Sequence, residues 1–274
     1  HHILLDGHAF ASTIREILER YFGLHAGSAL APADDYFEFA RHQRRLVEGE
    51  AGEAERQFWS QYLAHAPQPI GVKLAKPGKR NPGGTAASVM RFITSEAELP
   101  VRAASRALGV PLHSLMTAAG QVLLHGLTGD TDLIVASSFA NRQSVTEEKL
   151  IGWVSNNTVL RTDFDPATPF RDHVLKVAAG WAEVLPHSSY PLHLIQQAAA
   201  DTNGGKPLAR GQFGVYMTWP DNMERAGFER IFLSAPGTVH RFGDIEVSVL
   251  PVAVPGQGHH MVDALMFYQE IEGG

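Results

Sequence analysis

The 274-residue chain is 44% hydrophobic and 19% charged, with apolar material for one large domain or two of ordinary size. A net charge of −6 lacks the basic footprint of a nucleic-acid binder, and the absence of cysteine excludes disulfides, zinc–thiolate sites and thiolate nucleophiles. No apolar run reaches the ~18 residues of a membrane span, so neither nucleic acid nor membrane is expected as a partner, and a cytoplasmic location fits.

The opening stretch, HHILLDG, reads as a short strand through Ile3, Leu4 and Leu5, broken by Gly7. FASTIREILERYF then places Ile14, Ile17, Leu18 and Tyr21 at helical spacing. Residues 23–33 read as a loop. DDYFEFARHQRRLVEG and EAERQFWSQYLAH predict two helices, with Tyr36, Phe39 and Ala40, then Phe58, Trp59 and Tyr62, as their apolar faces. PGKRNPGGTA (77–86) is the strongest linker signal, rich in Pro and Gly. It divides the chain into 1–84 and 85–274.

The second part opens on a strand, ASVMRFI, and a short helix closed by Gly109. A longer helix, PLHSLMTAAGQVLLHGL, carries Leu112, Leu115, Met116, Ala119, Val122 and Leu123 as its expected buried stripe. DLIVASSF and NNTVLRTDF predict strands, and PFRDHVLKVAAGWAEVL predicts a helix started by Pro169. FGVYMTW, IEVSVLPVAV and MVDALMFYQEI are strands of the final third. Helices and strands mix in both parts, which predicts an α/β fold.

The opening cluster is where chemistry concentrates. His1 and His2 precede an aspartate and a glycine at a strand-to-helix turn, which can present a histidine at a sheet edge beside a helix N-terminus. A tag explains the histidines but not Asp6 and Gly7; a buried strand explains Ile3 to Leu5 but not two histidines. Elsewhere the signals are weaker. His259 and His260 are adjacent on a strand and would face opposite ways, so they predict no shared metal. No complete phosphate-binding loop or GxSxG string occurs. Trp153 and Trp219 read as core before they read as channel lining.

HHILLDG resembles the HHxxxDG signature of the condensation domains of nonribosomal peptide synthetases, shared with chloramphenicol-acetyltransferase-like acyltransferases. Further stretches follow in the family's order. DDYFEFARHQ is similar to the YxDYAxWQ helix, and DLIVASSFANRQ to the strand ending in a Gly-Arg loop, with Arg142 kept and Asn141 where glycine is usual. IGWVSNNTVLR resembles IGxFVNTxxLR, matching at Ile151, Gly152, Asn156, Leu160 and Arg161 and departing at Thr158. HSSYPLHLI keeps His187 and Pro191 of HxDVPFexL, and Asp263 matches a late-strand aspartate.

The resemblance spans nearly the whole chain and implies two acetyltransferase-like lobes in a V-shaped pseudo-dimer with a central tunnel. Residues 1–84 would be the remainder of an N-terminal lobe and 85–274 the C-terminal lobe, the sequence being an internal piece of a longer chain. It implies amide-bond formation between carrier-bound acyl and aminoacyl thioesters. His2 would be catalytic, orienting the acceptor amine or acting as base, and Gly7 would allow the sharp turn and place its N–H near the reacting carbonyl. His1, Asp6, Asn156 and Arg161 would support the site. Asp6 would pair with an arginine that usually lies upstream, outside this sequence. No cofactor of its own and no metal are implied; the phosphopantetheine arms belong to upstream and downstream carrier domains. Substrate-binding residues are not assigned. The rival readings are an acyltransferase acting on a free acceptor, an epimerization domain, and a non-catalytic recruitment domain of the same fold.

Overall fold

In a computed structural model of the chain, the described residues are 4–23, 34–67, 85–93, 95–205, 208, 213–217, 245–254 and 258–271. Three helices come first: α1 (Gly7–Tyr21), α2 (Asp34–Glu48) and α3 (Glu50–Tyr62). Then follow β1 (Thr85–Ile93), α4 (Ser95–Leu108), α5 (Leu112–Thr128), β2 (Asp132–Phe139), the short α6 (Val145–Glu148), β3 (Asn156–Asp163), α7 (Phe170–Val184) and α8 (Leu192–Thr202). Three strands close the order: β4 (Phe213–Met217), β5 (Ile245–Val254) and β6 (Gly258–Ile271). The linker stretch before Thr85, Trp219 and the first three residues lie outside the described residues. No single described helix is long and apolar enough to cross a membrane.

One six-stranded mixed sheet, ordered β1-β6-β5-β4-β2-β3, organises these elements. β2 runs parallel to β4 and antiparallel to β3. Its residues Leu133 to Ser137 are all buried, so both faces of the sheet are covered there. On one face Ile134, Ala136 and Val159 belong to the cluster that holds Trp59 of α3, its C-cap Leu63, and Ile195 and Ala198 of α8. On the other, Leu133 and Val135 pack with Leu124 of α5 and Phe164.

Two expectations fail here. Residues 4–6 are not strand: Leu4 sits in a 3-10 turn and is 67% exposed. A strand requires a ladder, and the backbone bonds described for this segment are two isolated ones, Asp6 N–H to Gly152 C=O at 3.4 Å and Phe10 N–H to Asp6 C=O at 2.9 Å, the latter opening α1. The expected stripe of α5 fails in its second half: Leu115 is buried and Leu112 and Met116 pack against the core, but Ala119, Val122 and Leu123 are exposed while Thr117 and Gln121 are fully buried. These polar side chains can be buried because they have partners on the sheet or on α7. Gln121 Nε2 donates to Thr162 Oγ1 at 2.9 Å, Trp181 Nε1 to Thr117 Oγ1 at 3.3 Å, and His113 Nε2 lies 2.7 Å from Ser137 Oγ.

Candidate functional site

The described part of the opening motif is anchored through Asp6. Its backbone is extended (φ −82°, ψ 176°) and its Oδ1 accepts from Ala9 N–H at 2.8 Å, making it the N-cap of α1. The same carboxylate does more than cap. Arg142 reaches it from the loop after β2, with Nη1 on Oδ2 at 2.8 Å and Nη2 on Oδ1 at 3.1 Å. Both side chains are 2% exposed. Oδ2 also accepts from Val154 and Ser155 N–H, each at 2.9 Å.

Burial pushes the Asp6 carboxyl up, but the bonds from Arg142, Ala9, Val154 and Ser155 outweigh it and hold the group below the usual carboxylate range. Asp6 is therefore a fixed anion, unsuited to carrying protons. Its arginine is Arg142, downstream of it, which corrects the expectation of an upstream partner. The chain closes the pair itself because β2 delivers its C-terminal loop to the same place as the turn before α1.

Around this pair the loop 150–155 is gripped from several sides. Arg142 Nη2 donates to Leu150 C=O at 3.3 Å. Tyr36 Oη of α2 donates to Trp153 C=O at 3.0 Å, and a Cβ at Gly152 would fall 2.2 Å from the Tyr36 ring. Trp153 turns its Nε1 onto Ser155 C=O and stays 36% exposed, so it is not core. His8 of α1 meets Glu148 C=O at 2.8 Å.

Gly7 departs from its expected role. It opens α1, has no positive φ, and a Cβ placed on it would meet nothing within 4 Å among the described residues. The turn does not need glycine's conformational freedom. What the glycine leaves is open space at the positive end of α1.

Among the described residues neither Asn156 nor Arg161 bonds directly to Asp6 or Arg142. Asn156 Nδ2 donates to Ser188 and Tyr190 C=O at 2.8 and 2.7 Å, tying down the stretch that follows the 3-10 turn Leu185–His187. Arg161 pairs with Asp132 at 2.6 Å and donates to Ala64 C=O at 2.7 Å, pinning the end of α3 to the sheet. His187 lies 2.9 Å from Glu55 and stacks on Phe58. His259 and His260 occupy adjacent positions on β6, opposite Ala253 and Val252. Asp263 sits between Arg91 of β1 and Val249 of β5 in register. His1 and His2 lie outside the described residues. No group of three or more metal-ligating side chains occurs among the described residues.

Tyr36, Val154 and Ser155, all parts of the cradle, are not site candidates in the sequence. Two of these contribute backbone N–H groups, which no residue type announces. The available signal was Asn141, a non-glycine residue at a position read as glycine, here with φ 52°.

The family model described as Condensation domain matches residues 1–224. Malpibaldin synthetase of Mortierella alpina is 28% identical over 227 residues, 81% of this chain and 4% of its own length. Chondramide synthase cmdD of Chondromyces crocatus is 27% identical over 216 residues, 77% of this chain and 6% of its own. The chain thus spans a small part of the length of these relatives. Among solved structures, the first condensation domain of the calcium-dependent antibiotic synthetase, in complex with a substrate analogue, superposes with a TM-score of 0.73 at 19% identity, covering all of this chain and 61% of that one. The X-domain from teicoplanin biosynthesis, in complex with OxyB, gives 0.74 at 19% identity, covering 100% and 62%. The fold is therefore the chloramphenicol-acetyltransferase-like α/β fold, as the sequence predicts.

Proposed function

This chain belongs to the condensation-domain family, and from that premise we propose that it joins a carrier-bound acyl or peptidyl thioester to a carrier-bound aminoacyl group in nonribosomal peptide synthesis. The observation that carries the reading is the buried Asp6–Arg142 pair, which holds the Asp-Gly end of the HHxxxDG motif in place with no exposed charge. A thioester is already activated, so the protein has three tasks: to place the amine, to accept its proton, and to stabilise charge on the carbonyl oxygen. The amine nitrogen attacks the thioester carbon, the C–S bond breaks, and the sulfur leaves with the electron pair and ends as the thiol. His2, four residues before Asp6, orients the amine and receives its proton. Positioning alone can supply ~7–11 kcal/mol of such a barrier.

The start of α1 fits the third task. Its first N–H groups carry partial positive charge, and the absent side chain of Gly7 leaves a carbonyl room to approach. The phosphopantetheine arms come with the flanking carrier domains, which are the proposed partners. They bring the reacting thioesters, so this reading asks for no cofactor of the chain's own.

The test uses the full-length protein. A donor carrier is loaded with an acyl group and an acceptor carrier with an aminoacyl group, and the acceptor is followed by intact-protein mass spectrometry. The expected result is a gain equal to the donor acyl mass, largely abolished by His2→Ala. Transfer to a soluble alcohol or amine instead would favour the free-acceptor acyltransferase. No transfer with carrier binding retained would replace the reading with a recruitment domain.

A further inference from the structure

Asp6 receives a peptide unit whose other side is also held. Ser155 N–H donates to Asp6 Oδ2 at 2.9 Å, and the carbonyl of that same peptide, Val154 C=O, accepts from Asn141 Nδ2 at 3.1 Å. A peptide group is planar, so a side chain that fixes the C=O also fixes the direction of the N–H. Asn141 therefore aims the N–H that Asp6 accepts.

Asn141 is itself aimed. Its Oδ1 accepts from Ser189 Oγ at 2.8 Å, and Ser189 Oγ accepts from Gln143 Nε2 at 2.7 Å. Ser189 is held in reach because Asn156 Nδ2 binds the carbonyls of Ser188 and Tyr190 on either side of it. Two asparagines thus close a circuit between the 187–191 stretch and the Asp6 cradle, and its donors and acceptors polarise one another.

The backbone alone does not explain Asn141. At φ 52° a glycine would be free of the steric cost that an asparagine bears. The residue also belongs to neither hydrophobic cluster. Its side-chain amide is the feature that glycine lacks, and both ends of that amide are in use.

We propose that Asn141 and Ser189 are positioning residues for acyl transfer: their clamp fixes the Val154–Ser155 peptide against Asp6 and so sets the geometry of the turn before α1, which follows His2 in sequence. The inference rests on the condensation reading above. It predicts that loosening the clamp slows the chemical step and leaves carrier recognition alone.

The experiment measures single-turnover transfer between loaded carriers in the full-length protein. Its variants are Asn141→Gly, which keeps the backbone conformation and removes the amide, Ser189→Ala, and Ser189→Thr. Asn141→Gly should slow transfer at saturating acceptor by ~10-fold or more, because small misplacements of reacting groups are costly, with the acceptor-carrier KM within about twofold of wild type. Ser189→Ala should act in the same direction. Ser189→Thr, which keeps the hydroxyl, should recover most of the rate. The double variant should be no slower than Asn141→Gly, since the two residues act through one bond. A wild-type rate in Asn141→Gly, or a loss confined to KM, would overturn the proposal.

Hydrogen exchange supplies a readout independent of activity. The amides of Val154 and Ser155 should exchange roughly fivefold faster in Asn141→Gly, while those of Leu133 to Ala136 keep their protection. Unchanged exchange at Val154 and Ser155 overturns the clamp whatever the kinetics show. If wild type transfers nothing between carriers, the condensation reading and the catalytic half of this inference fall together, and exchange still decides whether the clamp exists.

Discussion

Arg142 binds both carboxylate oxygens of Asp6 across 136 residues of sequence, and neither side chain is more than 2% exposed. A planar guanidinium fits that two-point geometry and a lysine ammonium does not. Removing one partner leaves the other charge buried and alone, which costs about 3–5 kcal/mol. Arg142→Lys should therefore lose most of what Arg142→Ala loses, measured by urea unfolding. A lysine variant as stable as wild type would show that charge alone suffices.

The same pair makes stability depend on acid pH. The folded carboxyl of Asp6 titrates below its unfolded value of about 3.9. Its contribution is present in full above that value and is lost as pH falls through the depressed folded one. Between pH 5 and 3, wild type should lose more unfolding free energy than Asp6→Asn, whose site no longer titrates. Curves that fall in parallel would place the acid sensitivity elsewhere.

His173 supplies a second pH dependence, at higher pH. It is 2% exposed, lies edge-on to Phe164, and its Nε2 is buried with no partner among the described residues. Burial, with the nearby Lys176 charge, lowers its pKa. Below about pH 6.5 the unfolded chain takes up a proton that the folded one resists, so stability falls as pH drops, by up to ~1.4 kcal/mol per pH unit. Urea unfolding at pH 7.5, 6.5 and 5.5 should show this slope in wild type and a shallower one in His173→Leu. Equal slopes would clear His173.

What could be read in the sequence followed from periodicity and from short motifs. β2, β3 and α7 fall where their apolar runs place them, and Gly109, with φ 65°, closes α4 as expected. The second half of the α5 stripe could not be read, because a count of apolar residues cannot see that Thr162 and Ser137 wait on the sheet to pair with Gln121 and His113. The Asp6 cradle was legible by half. Asp6 and Arg142 are recognisable residue types, but the cradle is completed by the N–H groups of Val154 and Ser155, and any residue except proline carries one. Their meeting depends on where β2 and the turn before α1 end in space, which local sequence does not encode.

Gly7 separates folding from chemistry. A Cβ there meets nothing within 4 Å among the described residues, and the residue is the first of α1 without a positive φ. Alanine is the better helix former and restricts the unfolded chain more, so Gly7→Ala should leave stability unchanged or raise it by about 0.4–1 kcal/mol. The added methyl would stand in the open space at the helix N-terminus, where the proposed reading places the thioester carbonyl. Transfer between loaded carriers should then slow by ~10-fold or more, since displacing the reacting group weakens both its orientation and the stabilisation of its charge. Thermal unfolding and single-turnover transfer on the same preparation test the two halves together. A stable variant with impaired transfer would assign the glycine to substrate approach. A destabilised variant would return it to the turn, and a stable, fully active one would move the carbonyl away from α1.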